Sequence, residues 1–182
     1  MVALKTAVCD FGWKAPAFEL PGVDGAPHSL AETRGKNGTL VMFICNHCPY
    51  VQAVLDRIVR DAAELAEYGV ASVAISSNDT DTYPEDSFEN MGRVARENNF
   101  SFPYLYDESQ ETARAYGAVC TPEFLGFNRD LELQYRGRLD ESGRNAVPGA
   151  RRELFEAMVQ IARTGKGPQE QVPSIGCSIK WR

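Results

Sequence analysis

The clearest pattern in the chain is a short apolar run followed by a longer amphipathic stripe. Residues 39–44 are almost entirely apolar, which predicts a strand buried on both faces of a sheet. Apolar residues then recur at helical spacing over 51–66, with charged residues between them, so we expect one amphipathic helix that ends before Gly69. The apolar run 70–76 predicts the next strand. This order is typical of a parallel βαβ unit with a right-handed crossover.

The rest of the chain predicts further helices and an antiparallel part of the sheet. The signals are a hairpin of 18–20 with 28–30, a turn at 35–38, a helix over 86–98, a strand at 104–106, a helix over 108–116, a hairpin of 123–128 with 131–139, and a helix over 149–163. We therefore expect an α/β fold with a central mixed sheet, parallel front strands, an antiparallel rear hairpin and helices on both faces. We expect one domain over 1–182, with 1–36 as an N-terminal β-hairpin extension and 166–182 as a C-terminal tail.

Composition narrows the class of partner. The chain has 182 residues, which suits one well-buried domain, and its net charge of −6 disfavours nucleic acid and anionic membrane surfaces. Its longest apolar runs are about six residues, whereas a membrane-spanning helix needs roughly 20. Residues 1–10 lack the apolar core of a secretion signal, so we expect a cytoplasmic location. In that reducing compartment, five cysteines indicate catalytic, metal-binding or inert thiols rather than a disulfide scaffold.

Two cysteines in a CxxC arrangement carry the candidate chemistry. Cys45 and Cys48 lie between the first buried strand and the amphipathic helix, where helix amides stabilise a thiolate and the pair can close a disulfide. A zinc site would need two further ligands, and the remaining cysteines and histidines show no second paired spacing. Pro49 stands where a c-type haem motif requires histidine. We therefore predict redox chemistry and no metal at this pair.

The chain resembles the thioredoxin-like superfamily, and within it the redoxin branch of alkyl hydroperoxide reductase and thiol-specific antioxidant type, in a peroxiredoxin-like group with a CxxC motif. Five segments carry the resemblance, which covers nearly the whole chain: 15–20, 43–51, 119–122, 135–140 and 176–181. The resemblance implies a thioredoxin-like fold and a cis peptide bond before Pro122, facing the CxxC motif. A turn proline that opens a strand is the simpler alternative. We expect Thr121 and Pro122 to shape a substrate groove, with Tyr50 at its edge.

The resemblance assigns the two cysteines in two different ways. Thioredoxin logic makes Cys45 an exposed nucleophile and Cys48 the resolving thiol, with His47 tuning the pKa of Cys45 unless that histidine is only a solvated turn residue. In peroxiredoxins the peroxidatic cysteine aligns with Cys48, but Cys45 and Val41 replace the threonine and proline of that family. We favour a thiol-disulfide oxidoreductase. A weak thiol peroxidase and a non-enzymatic binding module are the alternatives. Thr39 replaces the buried carboxylate of thioredoxin, so the proton acceptor for Cys48 stays open.

Other residues have weaker assignments. Cys120, two residues before Pro122, and Cys177 in the tail are candidate additional redox thiols, although a small buried residue explains Cys120 more simply. A solvated strand face explains Arg136 and Arg138 better than an anion site. The expected partners are protein or small-molecule disulfides and thiols, or peroxides, together with a thiol reductant system. We expect no bound cofactor.

Overall fold

The computed structural model describes residues 3–182. Its strands are β1 (Ala3–Lys5), β2 (Glu19–Pro21), β3 (Pro27–Ser29), β4 (Gly38–Phe43), β5 (Val70–Ser76), β6 (Tyr104–Tyr106), β7 (Cys120–Thr121), β8 (Glu123–Asn128), β9 (Leu133–Gly137) and β10 (Ile175–Ser178). Its helices are α1 (Leu30–Thr33), α2 (Pro49–Gln52), α3 (Leu55–Ala66), α4 (Phe88–Glu97), α5 (Glu111–Ala115) and α6 (Glu153–Thr164), with a 3-10 turn at Pro84–Asp86. Within residues 3–182, no helix combines the length and the apolar character that a bilayer crossing requires.

A central five-stranded sheet positions the CxxC motif. Its strand order is β6-β5-β4-β8-β9, with β4–β5 and β5–β6 parallel and β4–β8 and β8–β9 antiparallel. The predicted mixed sheet is therefore confirmed. Strand β4 lies in the middle and is buried along its whole length. Because successive side chains point to opposite faces, Leu40 and Met42 join the core on one face, while Val41 and Phe43 join the core on the other.

The single helix predicted over 51–66 is wrong, because two helices, α2 and α3, occupy this segment. Val54 lies at the break with φ −129° and ψ 10°, and its carbonyl oxygen accepts hydrogen bonds from the N–H groups of Arg57 and Ile58. The apolar stripe survives the break, since Val51, Val54 and Ile58 are all buried. Apolar periodicity reports which face of a segment is buried, and it carries no signal for a break that keeps the same face inward.

Other predicted elements are confirmed with shifted boundaries. The N-terminal hairpin forms as β2 and β3, with Glu19 paired to Ser29. The helix predicted over 86–98 is α4, which begins after Ser87 because the hydroxyl of this residue accepts the N–H of Asn90 at 3.4 Å. Phe88 was expected in the buried stripe of that helix, but it is 41% exposed at the first helical position. Helix α6 begins at Glu153 rather than at residue 149.

The C-terminal segment forms a strand that the sequence pattern did not predict. Strand β10 lies between β1 and β7 in a second, three-stranded antiparallel sheet, and its Cys177 pairs with Thr121. Gly176 permits this close approach, because a Cβ atom at that position would lie 2.1 Å from the carbonyl oxygen of Thr121. The tail is therefore packed beside Thr121 and Pro122, which brings Cys177 towards the CxxC motif.

Arg136 is not on a solvated strand face, as the sequence suggested. It is 9% exposed, and its Nε donates a 2.9 Å hydrogen bond to the fully buried Glu123. Burial raises the pKa of Glu123, while the nearby guanidinium of Arg136 opposes that shift. The second arginine, Arg138, is partly exposed and forms a bidentate pair with Glu153. Arg136 and Arg138 therefore pair with two separate carboxylates.

Replacing Arg136 with methionine is expected to destabilise the protein strongly. The change leaves the carboxyl group of Glu123 buried without its cation, and breaking a buried pair in this way typically costs about 3–5 kcal/mol. Urea unfolding of Arg136→Met against the wild type measures the loss. Arg93→Met is the matched control, because Arg93 lies on the exposed surface of α4 and faces Glu97 only at 4.0 Å. Equal midpoints for the two variants would contradict the structural role of the buried pair.

Candidate active site

The CxxC motif lies at the carboxyl end of the central strand β4, which is the edge where open α/β sheets place their sites. Cys45 follows β4 by two residues, and Cys48 is the residue that precedes the first turn of α2, with Pro49 as the first helical residue. Proline suits this position because it has no N–H group that would go unpaired. The loop Thr121–Pro122 faces the motif, and the peptide bond between these two residues is cis, as the resemblance implied.

Thr121 contacts both cysteines of the motif. Its Oγ1 atom lies 3.3 Å from Cys45 Sγ, and its carbonyl oxygen lies 3.1 Å from Cys48 Sγ. A third sulfur completes the cluster, since Cys177 Sγ is 2.8 Å from Cys48 Sγ. Cys45 is only 2% exposed and Cys48 is fully buried. The prediction of an exposed Cys45 is therefore wrong, because Thr121 and the segment that carries Asp86 both pack against the motif.

The hydrogen bonds around the pair place the thiolate on Cys48. The pKa of Cys48 is lowered to about 5, chiefly because the Cys45 thiol donates to it, although burial opposes the shift and the Cys177 thiol and the Val51 N–H also donate. The pKa of Cys45 is raised well above its usual range, because its proton is held by Cys48, because it is buried and because Asp86 is negative. The carbonyl oxygen of Thr121 favours a protonated Cys48, but the donors outnumber this single acceptor.

A pH titration of the reduced protein is expected to show one thiolate that forms at low pH. The ultraviolet thiolate absorbance should rise as the pH increases through about 5, since Cys48 loses its proton there and stays ionised above that pH. Cys9 provides an internal contrast, because burial raises its pKa to about 11. The Cys48→Ser variant should lack the low-pH transition, and Cys9→Ser should keep it. Persistence of the transition in Cys48→Ser would contradict this assignment of the thiolate.

His47 binds a buried carboxylate that the sequence analysis missed. Its Nδ1 atom lies 2.6 Å from Oδ2 of Asp86, and its ring stacks on Tyr83 with the centroids 5.4 Å apart. Asp86 is fully buried, and it also accepts the backbone N–H groups of Asn46 and His47 and the side-chain N–H of Asn78. In the sequence, Asp86 was only the first residue of the helix predicted over 86–98. The pairing of a loop residue with the motif depends on tertiary contacts, which have no local pattern.

One group of metal-ligating atoms is present at the site. Cys45 Sγ, His47 Nδ1 and a carboxylate oxygen of Asp86 all lie within 4.8 Å of one another. Such a sulfur, nitrogen and oxygen set is compatible with zinc, but it provides three protein ligands rather than the four of a structural site. The hydrogen bonds of Asp86 already satisfy both of its oxygens. The hydrogen bonds of Asp86 therefore explain why these three side chains lie together.

A cavity beside the motif contains two of the expected groove residues. Tyr50 and Pro122 line this space of about 300 Å³, together with Phe124, Arg144 and Val172. The guanidinium of Arg144 lies over the ring of Tyr50, with its carbon 5.5 Å from the centroid. Cys120 lies in β7 opposite Ser178, and burial raises the pKa of its thiol well above the usual range. It is therefore a protonated, buried thiol, in keeping with the simpler explanation of this residue.

The sheet, the cysteine pair and the facing cis-proline define a protein of the thioredoxin-like class. The model of the AhpC/TSA family matches residues 11–140, and the chain belongs to that family. The resemblance to the redoxin branch that the sequence motifs carry is therefore confirmed.

Individual relatives extend this comparison. A solved structure of an uncharacterized conserved protein from Geobacillus kaustophilus is 47% identical, with a TM-score of 0.94 over 100% of this chain and 97% of that chain. The protein named "Putative peroxiredoxin Rv2521" from Mycobacterium tuberculosis strain H37Rv is 26% identical over 143 residues, which cover 79% of this chain and 86% of the relative. A thiol:disulfide interchange protein of the thioredoxin family from Chlorobium tepidum is 21% identical, with a TM-score of 0.61 over 82% of this chain and 94% of that one. The last similarity concerns the fold alone.

Proposed function

We propose that the protein is a thiol-disulfide oxidoreductase that cycles Cys45 and Cys48 between a dithiol and a disulfide. One observation carries the proposal: at the end of β4, Thr121 lies within hydrogen-bond distance of both sulfurs of the CxxC pair, beside a cis-proline. The lowered pKa of Cys48 supports it. A thiol held next to a thiolate can attack and then be resolved without large movements of the chain. Membership of the AhpC/TSA family supports thiol or peroxide chemistry in general.

Cys45 is the proposed nucleophile. Cys48 has no exposed surface and is enclosed by Thr121 and Cys177, so an incoming disulfide reaches Cys45 first. The proton of Cys45 passes to Cys48 as the Cys45 sulfur attacks the substrate disulfide. One substrate sulfur then leaves as a thiolate and takes up the proton from Cys48. Cys48 can thus serve as the base for Cys45.

The second half of the reaction resolves the mixed disulfide. The Cys48 thiolate attacks Cys45 Sγ, forms the Cys45–Cys48 disulfide and releases the second substrate sulfur as a thiolate. In balance, one substrate disulfide, the Cys45 thiol and the Cys48 thiolate give one substrate thiol, one substrate thiolate and one protein disulfide. A separate thiol reductant returns the pair to the dithiol. The cavity lined by Tyr50 and Pro122 is the proposed binding groove for the substrate.

The low pKa of Cys48 favours a second candidate, a thiol peroxidase. In that reaction the Cys48 thiolate attacks a hydroperoxide, becomes a sulfenic acid and releases an alcohol or water, and a neighbouring thiol then condenses with the sulfenic acid to form a disulfide and water. The two candidates differ in which cysteine is attacked first. Under the proposed function the Cys45→Ser variant fails to reduce insulin disulfides, and a peroxidase would still form sulfenic acid at Cys48 in that variant.

The direct test is the reduction of insulin disulfides with a thiol reductant in excess, compared with the uncatalysed background. The proposed function predicts that catalytic amounts of the wild-type protein accelerate the reaction, and that hydrogen peroxide consumption stays close to background. Rapid peroxide consumption without acceleration of disulfide reduction would instead support the peroxidase.

A further inference from the structure

Cys177 is the sulfur closest to Cys48 among the described hydrogen-bond contacts, and the proposed cycle does not use it. The Cys177 and Cys48 Sγ atoms are 2.8 Å apart, and both side chains are buried. A disulfide bond has a length of about 2.05 Å, so the two sulfurs would need to approach by roughly 0.8 Å. This shift requires no change in the backbone hydrogen bonds between strands, since β10 is already paired with β7 at Thr121.

The position of Cys177 is fixed from two sides. Strand β10 is paired with β1 on one edge and with β7 on the other, and Cys177 is opposite Ala3 and Thr121 in these pairings. Gly176 allows the backbone to lie directly against Thr121. Cys120 is the neighbouring cysteine on β7, but it pairs with Ser178 and forms no sulfur contact of this kind among the described hydrogen bonds. The structure therefore brings one particular third cysteine to Cys48.

We propose that Cys177 is a second resolving thiol, which exchanges with Cys45 for the disulfide bond to Cys48. This inference rests on the proposed function. After the Cys45–Cys48 disulfide has formed, the Cys177 sulfur attacks Cys48 Sγ, the Cys48–Cys177 bond forms and the Cys45–Cys48 bond breaks. The proton of Cys177 passes to the departing Cys45 sulfur, so the step neither consumes nor supplies electrons. The exchange returns Cys45 as a thiol and links Cys48, at the start of α2, to the C-terminal strand β10.

Disulfide mapping of the Cys45→Ser variant tests whether Cys177 forms a disulfide with Cys48 when Cys45 cannot compete for it. The reduced variant is incubated with glutathione disulfide, free thiols are alkylated, and the protein is digested with trypsin without reductant. Cys48 lies in the tryptic peptide 37–57 and Cys177 in 167–180, so their disulfide gives one linked peptide pair. We expect this pair in more than half of the chains. Without Cys45, excess glutathione disulfide, which is far smaller than a protein substrate, glutathionylates Cys48, and Cys177 then displaces glutathione.

Two double variants serve as controls for the identity of the thiol that bonds to Cys48. Cys45→Ser with Cys177→Ser should stop at the Cys48–glutathione adduct, whereas Cys45→Ser with Cys120→Ser should still give the linked pair. A stable glutathione adduct in Cys45→Ser itself, with Cys177 open to alkylation, would overturn the inference. That failure is distinguishable from failure of the proposed function, because the wild type would still close the Cys45–Cys48 disulfide inside peptide 37–57. If neither disulfide forms, both proposals are wrong.

Discussion

The Cys48→Ser variant is expected to lose disulfide-reductase activity by about 1,000-fold or more. Serine cannot act as the thiolate that resolves the mixed disulfide, and removing one member of a catalytic unit typically costs this much. It also cannot take the proton of Cys45 as the Cys48 thiolate does, so the first attack slows as well. The mixed disulfide between Cys45 and substrate should accumulate, since no thiolate at position 48 displaces it. Insulin reduction measures the activity, and intact-protein mass spectrometry detects the adduct.

A control variant and the Cys45→Ser variant together show which cysteine attacks the substrate first. Cys120→Ser replaces another buried thiol of the same region and should retain the activity of the wild type. Cys45→Ser should be equally inactive as Cys48→Ser, but without a trapped insulin adduct, because its remaining thiolate is enclosed. An insulin adduct that is stable in Cys45→Ser and absent in Cys48→Ser would show that Cys48 is the first nucleophile, which contradicts the proposed order of steps.

Replacing Asp86 with asparagine is expected to change both the stability and the chemistry of the site. The buried carboxylate accepts the backbone N–H groups of Asn46 and His47 and the side-chain N–H of Asn78, and an amide cannot accept at both of its ends. We expect a loss of about 2–4 kcal/mol in the free energy of unfolding. The pKa of Cys45 should also fall, since the charge of Asp86 adds to the effects of Cys48 and of burial in raising it.

Denaturant unfolding measures the first effect, and the pH dependence of Cys45 alkylation in the reduced protein measures the second. Glu85→Gln is the matched control, because Glu85 precedes Asp86 in the chain and its side chain is exposed. It should change neither quantity measurably. An Asp86→Asn variant that loses stability but keeps the pH dependence of the wild type would limit Asp86 to a structural role. A rise in the pKa of Cys45 would contradict the electrostatic account.

The sheet and the cysteine pair were predictable because their signals are local. The apolar runs of β4 and β5 are buried on both faces, which requires a central position in a sheet, and the pair of thiols follows the first of them directly. The roles of the two thiols were less predictable. Sequence position suggested an exposed Cys45 thiolate, whereas the donors that reach Cys48 come from Val51 and Cys177 as well as from Cys45.

The parts of the site that were missed depend on contacts between distant segments. Asp86 lies 39 residues beyond His47, and Cys177 lies 129 residues beyond Cys48. Strand β10 has only four residues, which is too short for a periodic signal, and its place is set by Gly176 against Thr121. Arg136 looked solvated from its alternation with neighbouring residues, because a buried ion pair leaves no mark on the hydrophobic pattern of one strand.

The most direct test of the account is a glutathione redox titration of the Cys177→Ser variant, with alkylation and tryptic mapping of each cysteine. This background removes the competing thiol and leaves the central pair intact. We predict one two-electron transition confined to peptide 37–57, in which Cys45 and Cys48 lose their two thiol hydrogens together while Cys9 and Cys120 stay alkylatable. A midpoint near about −270 mV would indicate a reductant, and one near about −120 mV an oxidant. If Cys45 and Cys48 remain separately alkylated at every glutathione ratio, the dithiol mechanism is wrong.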